Sequence, residues 1–454
     1  MEAGGASTTT TRKRKAAALE GHPAPAPVAA ATDPGMGEDD GGGSGENRQD
    51  LDRLSSLPDA ILGEIISLLP TKQGARTRIL VSRWRHLWCS TPLNLDCRHL
   101  ACTWHELPAL MHRIINAHQG PGRRFCTPEL LYTINDIDAV EACLLSPALA
   151  RLEELKLNSW RRQPLPELVF RFSDTLVVFR IEQCSLPDAT VHRFHFPRLQ
   201  RLELVHSSIT ECSLHSMIAG CPSLEFLLIS RCSGPRCLRI NSLVLRSVTV
   251  SNFTLGAPML DEIVIESAPC LESLFHLDQD RDLRVSVIFA PKFETLGCTN
   301  STRLLFGSMD IQGSRTIKCL AQTMPTLSLD MVIGLMRSFP CLEKLYIQCN
   351  TSRKNNNVWR RKYRDLLRSL DIRLKIMVLK YYSGRKPDVD FVTFFVLNAR
   401  QLESMTLMVQ TDDIDEDFLA KQHHKLQLEK RASHGAQFHF TAERRHEFGY
   451  KLSF

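Results

Sequence analysis

The sequence predicts an α/β protein in which a small three-helix module is followed by a solenoid with a curved parallel sheet. Three observations lead to this fold class. Residues 1–50 contain no Phe, Trp or Tyr and are dominated by Ala, Gly, Pro, Thr and acidic residues, which is typical of a disordered tail. Residues 51–98 contain amphipathic runs separated by prolines. Beyond residue 150, an apolar template recurs, and its first four copies start 23 to 25 residues apart.

The composition excludes several classes of protein. Of the 454 residues, 43% are hydrophobic, so the chain as a whole has enough apolar surface to offset the conformational entropy lost on folding. The longest uncharged apolar run near the C-terminus, residues 391–397, is far shorter than the roughly 18 to 20 residues that a membrane-spanning helix needs. The net charge of +6 is small for a strongly cationic nucleic-acid binder. We therefore expect no membrane association, and nucleic acid is an improbable partner.

The N-terminal sequence bears on the cellular compartment. No hydrophobic stretch follows the first methionine, so the protein is expected to be intracellular, in the nucleus, the cytoplasm or both. The basic cluster Arg12, Lys13, Arg14 and Lys15 lies inside the tail. It can be interpreted as a nuclear localisation signal or as a solvated charge run, because four residues match many sequences by chance. The sequence leaves both interpretations open.

Residues 51–98 are predicted to form the helical module. Pro58 and Asp59 suit the first turn of a helix, where a missing N–H has no cost and a carboxylate complements the helix dipole. A broad apolar stripe follows and ends before Pro70. A turn at residues 71–74 then leads to a second amphipathic run. The stripe is wider than one packing partner needs, which suggests that another chain completes one face of the module.

Three segments of this module carry a resemblance to a known family, and they are Asp52-Arg53-Leu54-Ser55-Ser56-Leu57-Pro58-Asp59, Leu69-Pro70-Thr71-Lys72 and Arg83-Trp84-Arg85-His86-Leu87-Trp88. They resemble an F-box, a three-helix module that docks on the Skp-type adaptor of a cullin–RING ubiquitin ligase. The resemblance implies adaptor contacts at Leu57, Pro58, Ile61, Leu62, Ile66, Leu69 and Trp84. Val81 departs from the family pattern, where a polar residue is usual, and could alter the affinity for particular adaptor paralogues.

Residues 99–350 are assigned to the solenoid because they repeat the template L-x-x-L-x-L. Copies of the template, including one beyond residue 350, begin at Leu152, Leu176, Leu199, Leu224, Ile240, Leu260, Leu342 and Leu402. The first four copies start 24, 23 and 25 residues apart, within the spacing of leucine-rich repeats. Each copy is predicted to contribute one strand to a curved parallel sheet.

The repeat template also accounts for part of the count of fifteen cysteines. Three residues after its last apolar position, the template has Asn or Cys, and Cys184, Cys232 and Asn350 occupy that position. Such thiols are structural and should remain reduced inside a cell. The cysteines form no Cys-x-x-Cys pair, and no glycine-rich phosphate loop or nucleophile motif occurs. We predict no metal, no cofactor, no catalytic residues and no enzymatic activity.

The concave face of the sheet is the predicted target-binding surface. Side chains alternate across a strand, so the residue between the last two apolar positions points out of this face. These residues are Lys156, Arg180, Glu203, Leu228, Val264 and Tyr346, and Phe226 flanks them. Their mixture of both charges with apolar groups suits an unknown target protein better than a phosphate backbone. The alternative is that they are merely solvated strand residues.

The C-terminal residues 351–454 are predicted to form further repeats and a cap. A basic run at residues 351–370 is interpreted as an exposed loop and solvated helix, with an acidic partner segment as the alternative. Segments 338–346, 379–384, 394–405 and 431–436 resemble the terminal region, called FBD, of plant F-box proteins that carry leucine-rich repeats.

The resemblance as a whole implies the substrate-recognition adaptor subunit of an SCF-type cullin–RING E3 ubiquitin ligase. In that function the F-box binds the Skp-type adaptor, and the repeats bind a target protein for ubiquitination. The alternative hypothesis is a non-catalytic leucine-rich-repeat scaffold that is not engaged in ubiquitination.

Overall fold

A computed structural model describes residues 56–79, 82–97, 100, 106–127, 134–159, 163–251, 260–276, 283–299, 302–306, 316–324, 326–349, 371–409 and 414–442. The predicted tail with its basic cluster at residues 12–15, Asn350 and the basic run at 351–370 lie outside the described residues. The role of the basic cluster therefore stays a prediction. All described helices and strands belong to one compact unit, Leu57–Phe454.

Three short helices form the helical module, and they are α1 (Asp59–Leu68), α2 (Thr71–Arg76) and α3 (Ser82–Ser90). A 3₁₀ turn, Thr77–Ile79, follows α2 directly. The prediction of a turn at residues 71–74 was wrong, because these residues begin α2. Pro70 precedes them in an extended conformation (φ −54°, ψ 143°) that suits the residue before a helix.

Fourteen strands form one parallel sheet, here called the main sheet. In spatial order they are β1 (Leu93–Asp96), β2 (Gly122–Cys126), β3 (Glu154–Asn158), β4 (Val178–Glu182), β6 (Arg201–Val205), β8 (Phe226–Ser230), β10 (Ser247–Ser251), β12 (Ser273–His276), β14 (Thr295–Thr299), β16 (Cys319–Met324), β17 (Lys344–Cys349), β18 (Ile376–Tyr382), β19 (Ser404–Val409) and β20 (Gln437–Ala442). The predicted α/β solenoid with a long parallel sheet is confirmed. The main sheet begins at β1, inside the range 51–98 assigned to the helical module.

Two smaller parallel sheets connect the turns of the solenoid. One contains β5 (Ser185–Leu186) and β7 (Ser208–Ile209), and the other contains β9 (Cys237–Asn241), β11 (Glu262–Ser267), β13 (Leu283–Val287) and β15 (Thr302–Phe306). Within the described ranges, seven further α-helices lie between strands of the main sheet, and they are α4 (Leu107–Ala117), α5 (Ile134–Leu145), α6 (Asp188–Val191), α7 (Glu211–Ala219), α8 (Leu329–Ser338), α9 (Lys386–Asn398) and α10 (Glu416–Lys425). One continuous hydrophobic core of the solenoid runs from Leu93 to Ala436, separate from that of the helical module.

The four-stranded sheet overturns part of the repeat assignment. The template copy at Leu260 forms strand β11 of that sheet, so Val264 lies on β11 and not on the main sheet. The copy at Ile240 begins at the end of β9 and runs into the segment between β9 and β10. The main sheet passes from β8 to β10, where Val248 is buried. Strands of both sheets alternate apolar and polar residues with the same period, so the template could not separate them.

Side chains of α7 cover the edge of β9, where the four-stranded sheet begins. The Glu211 carboxylate accepts hydrogen bonds from the backbone N–H groups of Arg236 (3.2 Å) and Cys237 (2.9 Å). One turn later, His215 Nε2 accepts from the N–H of Arg239 at 3.0 Å. These side chains thus accept the backbone N–H hydrogen bonds of β9 that a further parallel strand would otherwise accept.

The turns that leave the first strands contain the expected buried thiols. Gln183 (φ 56°) and Arg231 (φ 54°) adopt the left-handed conformation, and the buried Cys184 and Cys232 follow them directly. Ser207 takes the same position after β6, where its hydroxyl bonds the carbonyl of Val205 at 3.0 Å. A small buried side chain that can bond the backbone is what these positions share.

Candidate protein-binding surfaces

Helix α1 presents three large apolar side chains to solvent. Ile61, Ile65 and Leu68 are 48%, 36% and 77% exposed. Their spacing of four and three residues places them on one side of the helix. We call this set the apolar face. A monomeric domain seldom leaves three large aliphatic side chains together in water, so this face is a candidate binding surface.

The opposite side of α1 is the core of the module. Leu62 and Ile66 are almost fully buried and pack with Trp84 and Leu87 of α3. Helix α3 is joined to α1 by the guanidinium of Arg83, whose Nε donates to Asp59 Oδ1 at 2.7 Å.

The adaptor contacts implied by the F-box resemblance therefore divide into two groups. Pro58 and Ile61 are exposed, and Leu57 and Leu69 are half-buried, so these four remain predicted contacts. In this structure Leu62, Ile66 and Trp84 lie in the interior, where they hold the helices together and do not line the surface. The apolar stripe of α1 is so broad that the sequence does not indicate which of its residues face the core and which face solvent. The exposed Ile65 and Leu68 were not among the implied contacts, although their helical spacing from Ile61 is visible in the sequence.

Gly63 explains how α1 approaches the segment between α3 and β1 so closely. A Cβ atom at Gly63 would lie 2.8 Å from Thr91 Cγ2, closer than side chains normally approach. Glycine destabilises a helix by about 1 kcal/mol relative to alanine. At this position its missing side chain allows the close packing.

The helical module is bonded to the edge of the main sheet through Thr71. Its hydroxyl donates to the carbonyl of Asn94 (2.7 Å) and accepts from the N–H of Asp96 (2.8 Å). The side-chain amide of Asn94 in turn donates to the carbonyl of Ser67 in α1. These bonds fix the module, and with it the apolar face, relative to the solenoid.

The face of the main sheet that points away from the core is the second candidate surface, here called the open face. Backbone pairing places Lys156, Arg180, Glu203 and Leu228 side by side on consecutive strands β3, β4, β6 and β8. Tyr346 of β17 lies in the same row, farther along the sheet. Phe226 lies two residues before Leu228 and points to the same face. The residues predicted for target binding on the main sheet therefore share one face.

Most charges on the first strands of the open face are paired with one another. Glu154 accepts from Arg124 Nε (2.6 Å) and lies 3.1 Å from Lys156 Nζ. Arg180 lies 2.9 Å from Glu182 and 3.2 Å from Glu203. Burial alone would raise the pKa of Glu154, but the cations Arg124 and Lys156 hold it below its usual value. These side chains are thus already neutralised before any partner binds.

On β10, β12, β14 and β16 the open face carries no charged side chain. The row continues through Thr249, Phe275, Gly297 and Ala321. A Cβ atom at Gly297 would lie 2.4 Å from Cδ1 of Phe275, so the phenyl ring lies against the backbone of the next strand. Phe226 is covered as well, because the Arg201 guanidinium lies 4.1 Å from its ring centroid.

Neither a cluster of metal-ligating side chains nor a membrane-spanning helix is found among the described residues. In the described ranges, no three His, Cys, Asp or Glu side chains come together as metal ligands. None of the helices in this part of the chain has both the length and the apolar content needed to cross a bilayer.

Two family models match the chain in sequence order. The LRR-repeat model of FBD-associated F-box protein At5g56370 matches residues 140–347, and the FBD model matches residues 364–407. Together the two matches cover more than half of the chain. The chain belongs to the plant F-box/FBD/LRR-repeat protein family.

Curated relatives from Arabidopsis thaliana agree with the family models. The F-box/LRR-repeat protein At5g02910 is 29% identical over 208 residues, which are 44% of this chain and 43% of the relative. The F-box/FBD/LRR-repeat protein At5g22700 is 29% identical over 245 residues, covering 49% of this chain and 53% of the relative. In both matches the chain spans about half the length of the relative. The probable FBD-associated F-box protein At1g32375 is 23% identical over 403 residues, covering 81% of this chain and 95% of the relative.

The FBD region of this family member is continuous with its repeats. Residues 364–407 include β18, α9 and the first four residues of β19, and both strands pair in parallel within the main sheet. The region is fastened to the last helix by Tyr382, whose hydroxyl donates to Gln422 Oε1 of α10 at 2.8 Å. Burial raises the pKa of this phenol, so it stays a donor at physiological pH.

Proposed function

We propose that this chain is the substrate-recognition subunit of an SCF-type cullin–RING ubiquitin ligase. In this function the apolar face binds a Skp-type adaptor, and the open face binds a target protein. Membership of the F-box/LRR family, whose members are generally non-catalytic adaptors, supports the proposal. The other subunits would then carry out the transfer of ubiquitin.

The observation that carries the proposal is the exposure of Ile61, Ile65 and Leu68 on one side of α1. Burying an aliphatic side chain of this size contributes roughly 1.5–3 kcal/mol, so covering all three supplies a substantial part of a stable interface. The hydrogen bonds of Thr71 in α2, and that of the Asn94 amide to Ser67 in α1, attach the helical module to the sheet that would carry the target. A target bound on the open face would thus be held near the ligase at a high effective concentration.

A double substitution on the apolar face tests the proposal. In a co-purification of the full chain with a Skp-type adaptor, Ile61→Asp with Leu68→Asp should abolish adaptor binding, because two charges would have to be desolvated. Both positions are exposed, so the thermal unfolding midpoint should stay close to that of the unchanged chain. A matched control is Leu243→Asp, which alters a side chain that is 71% exposed between β9 and β10 and should leave adaptor binding intact.

Two results would contradict the proposal. Adaptor binding that survives the double substitution would remove the apolar face from the interface. Normal adaptor binding without any ubiquitinated client in cells treated with a proteasome inhibitor would instead favour the scaffold hypothesis.

A further inference from the structure

Two lysines of the open face lie apart from any acidic partner among the residues that the structure describes. Lys344 belongs to β17 and Lys380 to β18. Their chain neighbours Leu345 and Leu379 are buried, so both lysines alternate with core positions and point to the open face. Within the described residues, neither ammonium group has a carboxylate within ion-pair distance.

This arrangement differs from that of the earlier strands. On β2 to β6, every outward Lys or Arg lies within 2.6 to 3.3 Å of a Glu oxygen. On β16 to β20 the outward positions include neither Asp nor Glu. These positions are Cys319, Ala321, Thr323, Lys344, Tyr346, Gln348, Ile376, Val378, Lys380, Ser404, Thr406, Met408, Gln437, His439 and Thr441. The positive charge here is therefore not cancelled within the described face.

The acidic groups closest in sequence are engaged elsewhere or point away. Glu343 precedes Lys344 but faces the other way along the strand, and its carboxylate lies 3.1 Å from the Lys375 ammonium. Lys344 instead lies opposite Cys319 of the neighbouring strand. Burial raises the pKa of the Cys319 thiol, and the nearby charge of Lys344 opposes that rise.

The two lysines bracket a half-buried aromatic ring. Tyr346 follows Lys344 by two residues on the same face, and Gln348 after it is paired with Lys380 across the strands. With strands about 4.8 Å apart and about 3.3 Å of rise per residue, the Cα atoms of Lys344 and Lys380 are separated by about 14 Å. That separation matches about four residues of an extended chain.

We propose that the surface formed by Lys344, Tyr346 and Lys380 binds an acidic, extended segment of the target protein. One carboxylate would pair with each lysine, and an apolar side chain between them would cover the Tyr346 ring. The spacing corresponds to Asp or Glu at the first and fifth residues of the segment and an apolar residue at the third. The inference rests on the proposed function, because it names the chemistry of the target.

A protein segment fits this surface better than nucleic acid. A phosphate backbone needs a continuous row of cations, whereas the lysines here have Ile376 and Val378 as strand neighbours. Apolar side chains beside isolated charges are typical of protein interfaces, where a charged rim surrounds an apolar centre.

Fluorescence anisotropy with a labelled peptide tests the inference on the full chain. The probe has Glu at its first and fifth positions, Leu at its third, and Ser and Gly elsewhere. The double variant Lys344→Glu with Lys380→Glu should weaken its binding at least tenfold, and 0.5 M NaCl should weaken binding to the unchanged chain. The control Lys292→Glu with Lys430→Glu makes the same change in net charge at exposed positions outside the open face and should have little effect.

Several results would overturn the inference. One is that a peptide with Lys in place of both Glu residues binds equally well. Another is that the double variant binds the acidic peptide as tightly as the unchanged chain does. A third is that a single-stranded oligonucleotide binds more tightly than the peptide and loses its binding in the same variant. If circular dichroism shows that the Glu variants misfold, Lys344→Gln with Lys380→Gln provides the comparison.

The test also separates this inference from the proposed function. Lys344→Glu with Lys380→Glu should still co-purify with the Skp-type adaptor, and Ile61→Asp with Leu68→Asp should still bind the peptide. If the unchanged chain recruits the adaptor but does not bind the peptide, the ligase assignment stands and the inference is wrong. If the unchanged chain binds the peptide but does not recruit the adaptor, only the ligase assignment is overturned.

Discussion

Thr71 of α2 takes the place of a neighbouring strand beside Asn94 of β1. A single hydroxyl donates to the Asn94 carbonyl and accepts from the N–H two residues later, as the backbone of an adjacent parallel strand would. The otherwise open first edge of a fourteen-stranded sheet is thereby closed by a helical module.

Replacing Thr71 with Val should destabilise the protein while preserving its shape. Thr71 is buried, so the substitution leaves the Asn94 carbonyl and the Asp96 N–H without their partner, which costs about 1–3 kcal/mol. Urea unfolding followed by circular dichroism measures the effect. Thr71→Ser keeps the hydroxyl and should lose much less stability, and an equal loss in both variants would assign the effect to packing alone.

The buried imidazole of His118 should make the free energy of unfolding depend on pH. Its ring is buried against Trp88 with a centroid distance of 5.1 Å, and its Nε2 lies 2.6 Å from the carbonyl of Thr91. The other ring nitrogen, Nδ1, is buried and makes no hydrogen bond within the described residues. Burial therefore lowers the pKa of His118 below its usual value of 6.5, although the bond to Thr91 opposes the shift.

The sign of the effect follows from the number of bound protons. Below pH 6.5 the unfolded chain binds a proton at His118 that the folded chain resists, so the free energy of unfolding should fall as the pH drops below 6.5. Urea midpoints between pH 7.5 and 5.5 measure this decline. His118→Gln should flatten it, and an unchanged slope in that variant would place the dependence on other groups.

The cysteines should divide sharply in their reactivity. Burial raises the pKa of Cys184 and Cys221 to about 12, whereas Cys212 on α7 is exposed. Because the thiolate is the reactive form, iodoacetamide at pH 8 should label Cys212 within minutes and the two buried thiols only after unfolding. Peptide mass spectrometry with and without urea provides the comparison, and rapid labelling of Cys184 in the native protein would contradict its buried position.

Much of the fold follows from periodicity that is visible in the sequence. The spacing of Leu152, Leu176, Leu199 and Leu224 predicted consecutive parallel strands, and β3, β4, β6 and β8 pair in that order. The alternation of Lys156 between buried Leu155 and Leu157 also predicted which residues face outward. Such features are local, because side-chain direction depends only on position along a strand.

The tertiary structure alone decided which neighbours each residue meets. Ile61 and Leu62 are adjacent apolar residues, yet one faces solvent and the other fills the core, because α3 covers only one side of α1. Val264 and Leu228 fit the same template but lie in different sheets. Lys156 and Lys344 are alike in sequence, but only Lys156 has a glutamate of its own strand within reach. The order of the elements and the direction of side chains are local properties that follow from the sequence, whereas the pairing of charges and the covering of apolar faces depend on contacts between distant segments.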